Sequence, residues 1–304
     1  LLVGSQGRRR RIVGPAIAPR RVEAGMVGWL SPRSWHELSP WQIFCFNEVR
    51  RRLQNTGRDL VFKVNSPFHH PKTEISDAMR ILTRETGAPC WVLASAKKEV
   101  QQWFWEAKIP TLVFGNTFEG IRLPSLELDL RTVCRHGAGV CFRRGHRRIA
   151  LLLPKTEMAG HLAMERGFRE GFEAARRPRM VPRIIRHDDT VTGICGALDV
   201  ALCSPQSPTA ILVAIPRHVL TVVSHLARRG IGVPRDVSLV SIQFDWFLRD
   251  LAISIAHYAI RIERMEGHLA RLTVAMATTG ALPPKRTLLM PEFHPGDSLG
   301  PSSE

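Results

Sequence analysis

The chain of 304 residues is short of acid: 27 Asp and Glu stand against 43 Lys and Arg, a formal net charge of +16. Such a deficit argues against cationic partners and points toward an acidic one such as nucleic acid. Arginine carries the excess, however, and an arginine-favouring genome produces the same balance. Cysteine is also scarce. The six residues Cys45, Cys90, Cys134, Cys141, Cys195 and Cys203 form no CxxC pair, and no histidines stand at zinc-ligand spacing. Neither a metal site nor a disulfide framework is supported, and a reduced, cytoplasmic protein is expected. No apolar run reaches the length that spans a bilayer, and no apolar stretch follows the first positive charges as in a secretory signal. Membrane insertion and export are therefore not expected.

The sequence signatures of catalysis are missing as well. There is no GxSxG elbow, no GxxxxGK[ST] loop, no HExxH and no GxGxxG after the first predicted strand, so no enzyme activity and no cofactor are predicted. His69 and His70 fall in a predicted loop, where solvated histidines are commoner than catalytic ones. Asp188 and Asp189 are adjacent in an exposed-looking segment, and successive residues do not face one another as an acid and base pair must.

What is present is an alternation of short apolar runs with longer helix-period segments, the pattern of parallel α/β architecture. Strands are predicted at 26–30 (MVGWL), 59–64 (DLVFKV), 90–95 (CWVLAS), 111–115 (TLVFG) and 125–130 (SLELDL). Helices fall between them near 41–57, 75–85 and 97–107, the first preceded by Pro40 and followed by Gly57. A helix near 131–144 ends at Gly145, a C-cap glycine. A second series then repeats the pattern: strands at 148–154, 183–187, 209–214 and 237–242, with helices near 163–175, 193–202, 218–229 and 260–279. Gly137 and Gly139 lie inside a helix and read as close helix packing. The expected fold is two doubly wound parallel-sheet lobes with a hinge and a ligand cleft between them.

Four segments of the second series, GHRRIALLLP (145–154), MERGFREGFEAA (164–175), PTAILVA (208–214) and LARRGIGVPRDVSLVSI (226–242), follow in an order that resembles the effector-binding domain of LacI/GalR transcriptional regulators, a periplasmic-binding-protein-like fold. The resemblance covers most of residues 26–293. It implies an N-lobe at about 26–130 and a C-lobe at about 148–245 within a domain of 26–298, with interlobe crossovers near 129–131, 243–247 and 289–293. It also implies a small-molecule effector held by loops at the carboxyl ends of strands, which offer Ser31, Trp41, Ser95 and Asp129 from the first lobe and Met164, Ile215, Gln243 and Asp245 from the second. Trp41 is either a flat platform for a ligand ring or a packing residue. Asp129 either accepts ligand hydroxyls or caps the following helix. Met164, Ile215 and Gln243 stand where sugar-responsive relatives carry arginine, Asn-Asp and aspartate, so the second-lobe half of a sugar clamp is largely lost.

The opening LLVGSQGRRRRIV (1–13) resembles the end of a GntR-type winged helix, and the Pro-rich and Arg-rich 14–25 resembles a linker. On this reading Arg8, Arg9, Arg10 and Arg11 approach operator DNA, the rest of the reader precedes the sequence, and the 304 residues by themselves bind operator DNA weakly or not at all. A basic solvated tail is the alternative for these residues. Together the resemblances imply a ligand-responsive transcriptional regulator acting as a homodimer, with a solute-binding protein of a sugar uptake system as the alternative.

Overall fold

The computed structural model describes residues 25–64, 72–155, 158–175 and 180–302. The proposed winged-helix remnant with Arg8 to Arg11, the linker up to Ala24, and His69 and His70 lie outside the described residues.

The first sheet is entirely parallel. Its strands are β1 (Met26–Ser31), β2 (Asp59–Val64), β3 (Cys90–Ala94), β4 (Thr111–Phe114), β5 (Ser125–Leu128) and, from far along the chain, β11 (Arg286–Leu289), in the order β11-β5-β4-β3-β1-β2. The second sheet comprises β6 (Ile149–Pro154), β7 (Arg183–His187), β8 (Ala210–Val213), β9 (Ser238–Ser241), β10 (Ala256–Ala259) and β12 (Glu292–His294), in the order β12-β10-β9-β8-β6-β7. Only β12 runs antiparallel there, at the edge against β10. The strand order reverses between β1 and β3 in one sheet and between β6 and β8 in the other. These are the switch points of two doubly wound sheets, as the alternating pattern predicts.

Both sheets are covered on both faces. α1 (Pro40–Gln54) and α8 (Ile262–Thr279) pack with Trp29, Val92 and Leu112 on one face of the first sheet. α2 (Lys72–Thr86) and α3 (Lys98–Glu106) close the other face over Trp91, Leu93 and Phe104. In the second lobe α4 (Leu130–Arg143) and α5 (Ala159–Ala174) cover one face, and α6 (Val191–Leu202) and α7 (Pro216–Arg228) the other. This sandwiching explains why β3 and β6 are apolar along their whole length: every residue of each is buried, so alternation gives way to a continuous run.

Local chemistry sets the helix ends. Pro40 occupies the first turn of α1, where its missing N–H costs nothing, and the Gln42 side chain accepts from both the N–H and the hydroxyl of Ser39. Gly145 has φ 91°, the left-handed exit that lets α4 end and β6 begin. Gly167 answers a different demand: a Cβ there would stand 1.9 Å from the Arg131 carbonyl oxygen, so its absence lets α5 lie directly on the α4 backbone.

The chain passes between lobes three times: at Asp129, between β5 and α4; at Ile260 and Arg261, between β10 and α8; and at Met290 and Pro291, between β11 and β12. The second position corrects the expectation of 243–247. After β9 the chain stays in the second lobe, forming a 3₁₀ turn at Trp246–Arg249 and adding β10 to the sheet, where Tyr258 is buried with its hydroxyl 2.7 Å from His136 Nδ1. The helix predicted at 260–279 therefore belongs to the first lobe, where its buried face meets α1. Among the described residues no helix is long and apolar enough to cross a membrane.

Candidate functional site

Ligands of doubly wound sheets bind outside the carboxyl ends of the strands at the switch point. In the first lobe those ends present Ser31 and Ser95. Ser31 is 2% exposed, and its hydroxyl accepts from the Arg33 N–H at 3.1 Å, turning the chain so that the Arg33 side chain projects from the β1 exit. Ser95 is exposed in a left-handed conformation (φ 51°), fixed by its N–H donating to the Phe114 carbonyl at 3.0 Å. Trp41 sits edge-on to Phe114 with centroids 5.7 Å apart and joins the core under α1, so its packing role is fulfilled. Asp129 caps α4 by accepting from the Thr132 N–H at 3.0 Å, at the first interlobe crossing.

The second-lobe candidates are engaged differently. Met164 is 1% exposed among Leu130, Phe168 and Leu212, in the core and away from solvent. Ile215 precedes α7 and packs on the same core. Gln243 donates its amide to the Ala214 carbonyl at 3.1 Å and accepts a hydroxyl bond from Ser241 at its own carbonyl, tying the ends of β8 and β9 together. Asp245 caps the following 3₁₀ turn through the Trp246 N–H, and burial raises its pKa. Beside it the Arg249 guanidinium lies over the rings of Phe244 and Trp246, at 5.1 and 4.8 Å.

A cluster that the sequence did not single out lies at the ends of β7 and β8. Asp189, in a left-handed conformation (φ 71°), is held by Arg217, whose Nη2 donates to both carboxylate oxygens at 2.7 and 2.5 Å. His218 Nε2 stands 2.7 Å from Asp189 Oδ1. Burial would raise the Asp189 pKa, but His218 and Arg217 outweigh it and hold the carboxyl down at about 2. His187 ends β7; its Nδ1 accepts from the Asp189 N–H at 3.0 Å, and its ring meets that of His218 edge to face at 4.7 Å. Burial, then the neighbouring His218, lowers the His187 pKa to about 4. It is thus neutral near pH 7, and because Nδ1 accepts, the proton resides on Nε2. The adjacent Asp188 turns to Thr190, accepting from its N–H and hydroxyl at the start of α6. The pair Asp188 and Asp189 therefore does not share a site, as adjacency implied.

This cluster meets the first lobe. Arg33 feels both Arg217 and Asp189: burial first and Arg217 second lower its pKa, with Asp189 and then Glu37 partly compensating. Its surface is nevertheless exposed. Arg166 and Glu119 add a second pair between the lobes at 3.6 Å, exposed and of little energetic weight. A concavity of about 440 Å³ reaches from Lys155 and His187 along β7 and α6. Another, of about 520 Å³, lies at the amino ends of β4, β5 and β11 and is remote from the switch points. His187, Asp189 and His218 offer donor atoms within 4.8 Å of one another, the spacing of a loose metal site. With Asp189 already bound by one guanidinium and a second close by, that position repels cations. The missed signal was position: His187 closes the predicted strand 183–187 and Asp189 follows it, while Arg217 and His218 lie just beyond the predicted strand 209–214.

A family profile described as a periplasmic binding protein-like domain matches residues 139–299. The HTH-type transcriptional repressor CytR of Escherichia coli (strain K12) is 27% identical over 139 residues, 44% of this chain and 40% of that repressor. The chain thus spans about 40% of the length of the curated relatives it matches. Among solved structures, a LacI family transcriptional regulator from Enterococcus faecium with bound ribose superposes with a TM-score of 0.74 at 15% identity, covering 91% of this chain and 100% of that one. A LacI-family regulatory protein from Chloroflexus aggregans gives 0.75 at 20% identity, covering 90% and 98%. The transcriptional regulator CelR in complex with cellobiose gives 0.76 at 20% identity, covering 93% and 86%. At these identities the structures establish the fold.

Proposed function

The chain belongs to the periplasmic binding protein-like domain family, and from that premise we propose that it is the effector-binding and dimerising portion of a ligand-responsive transcriptional regulator of LacI/GalR type. One observation carries the reading: elements at the carboxyl ends of the two sheets approach each other, Arg166 of the second lobe standing 3.6 Å from Glu119 of the first, with Arg33 in the field of Asp189 and Arg217. A small metabolite bound there touches both lobes, and a ligand that prefers one lobe arrangement shifts the population toward it. The similarity to a repressor and to regulators holding ribose and cellobiose supports the reading and does not favour the solute-uptake alternative.

The remaining parts of the proposal follow from it. Residues 1–13 are the end of a GntR-type winged helix and 14–25 its linker, with Arg8 to Arg11 adding salt-sensitive contacts to operator DNA. The effector is a small metabolite seated near Ser31, Ser95, Asp129 and Asp245. The protein works in the cytoplasm as a homodimer and catalyses no reaction.

The test is a thermal-shift panel of sugars, sugar acids and nucleosides on the chain. A ligand that binds only the folded state at a hundred times its Kd adds about 2.7 kcal/mol of stability, a rise of several degrees. A panel that leaves the melting temperature unmoved throughout contradicts an effector site.

A further inference from the structure

The interlobe site, on the reading just proposed, has an unbalanced polar chemistry. α7 begins there without a side-chain cap: Ile215, at the cap position, has no polar side chain, and the carboxylate beside this amino end, Asp189, is already engaged by Arg217. His218 in its first turn is 2% exposed; its Nε2 stands 2.7 Å from Asp189 Oδ1, and its Nδ1 is buried without a partner among the described residues. His187, 1% exposed, likewise leaves Nε2 buried and without a partner. Buried ring nitrogens left unpaired cost stability, and two such rings in edge-to-face contact at 4.7 Å mark a point at which a bound ligand would satisfy them. Around that point Arg217 and Arg33 share the single carboxylate of Asp189, while Asp188 is occupied by Thr190.

We propose that the effector carries an oxyanion, a carboxylate or a phosphate, which seats at the amino end of α7 between Arg217 and His218 of the second lobe and Arg33 of the first. An uncapped helix start, guanidinium forks and imidazole N–H donors all complement anionic oxygen. The same chemistry accounts for what the second lobe lacks. Met164 and Ile215 cannot clamp vicinal hydroxyls, and Gln243 spends its amide on Ala214, so affinity comes from charge at α7. Because Arg33 and Arg217 belong to different lobes, an anion between them relieves their mutual repulsion only when the lobes are close. Anion binding therefore favours the closed arrangement.

The experiment is calorimetric titration of the whole chain with matched probes: D-ribose against D-ribose 5-phosphate, and D-glucose against D-gluconate and D-glucose 6-phosphate. At least one anionic member should bind tenfold or more tightly than its neutral partner. Arg217→Gln and, independently, Arg33→Gln should each weaken that member at least tenfold and its neutral partner less, with circular dichroism confirming that both variants fold. Preference for phosphate over gluconate, or the reverse, identifies the source of the oxyanion. Neutral sugars that bind as tightly as their anionic partners overturn this inference while leaving the effector cleft intact. Stabilisation by Zn²⁺ alone, abolished in His218→Ala, overturns it in favour of a cation site. Silence of every probe also overturns it, and the wider panel above then decides whether the cleft binds anything.

Discussion

Glu127 supplies the sharpest test of how the first lobe is held together beside the cleft. It lies on β5 with 0% exposure, and its carboxylate accepts from Thr117 N–H and hydroxyl (3.2 and 2.9 Å), the Ser125 hydroxyl, Asn116 Nδ2 (3.0 Å), and Arg286 Nε and Nη2 (3.0 and 2.7 Å). The network joins the end of β4, β5 and the returning β11, and Asn116 also reaches the Leu128 carbonyl at 3.4 Å, next to the crossing at Asp129. Burial would raise the Glu127 pKa, but Arg286, Ser125 and Thr117 outweigh it, and the folded value falls below the ordinary 4.5. Glu127→Gln keeps the shape, removes the charge and turns one acceptor into a donor that faces Asn116 and Arg286. Breaking a buried pair costs roughly 3–5 kcal/mol. Arg286 is 57% exposed, so the cost falls below that range, at about 2–3 kcal/mol. Thermal melts by circular dichroism at pH 7 should fall by about 5–10 °C. A depressed carboxyl pKa gives stability that is complete above the unfolded value and lost as pH falls through the folded one. The gap between wild type and variant should therefore narrow below about pH 4.5. A difference under about 0.5 kcal/mol at pH 7, or a gap that widens with acid, refutes the reasoning.

Three other outcomes follow from single sites. Gly167→Ala forces a methyl group into the Arg131 carbonyl and should cost about 1–3 kcal/mol or more, read as a lower denaturation midpoint; an unchanged midpoint would show that α4 and α5 are not in direct contact. Thiol titration of the native protein should modify Cys203 fast and Cys195 more slowly, with Cys45, Cys90, Cys134 and Cys141 reacting only in denaturant, Cys90 having its pKa pushed up to about 12 by burial. Six equally fast thiols would contradict the core. His187 is held neutral in the fold at a pKa of about 4 against an ordinary 6.5, so the unfolded chain binds the extra proton between those values and stability should fall as pH drops from 6.5 toward 4. His187→Gln should flatten that slope, and a slope that survives the substitution assigns it elsewhere.

The central strands were readable because parallel strands covered on both faces must be apolar throughout: CWVLA and IALLLP permit no other role. β10, β11 and β12 were not. AHYA, RTLL and EFH are short and mixed, and only pairing with β9, β5 and β10 makes them strands. α8 was legible as a helix but not as part of the first lobe, since the face meeting α1 records burial and not the identity of the neighbour. The same limit governs the site. Ser31, Ser95 and Gln243 could be placed at strand ends from local pattern, and Asp129 before the helix it caps. Arg33, His187, Asp189 and His218 acquire meaning only when two lobes and two loops come together, a relation no local spacing encodes.

On the proposed function, occupancy of the cleft changes DNA binding. The most direct measurement is a mobility-shift titration of the full-length protein on its own upstream DNA, without and with the ligand that most stabilises this chain. Coupling of about 1–3 kcal/mol predicts a change in apparent DNA affinity of about 5- to 150-fold, lost in Arg217→Gln. Identical titration curves at saturating ligand would contradict it.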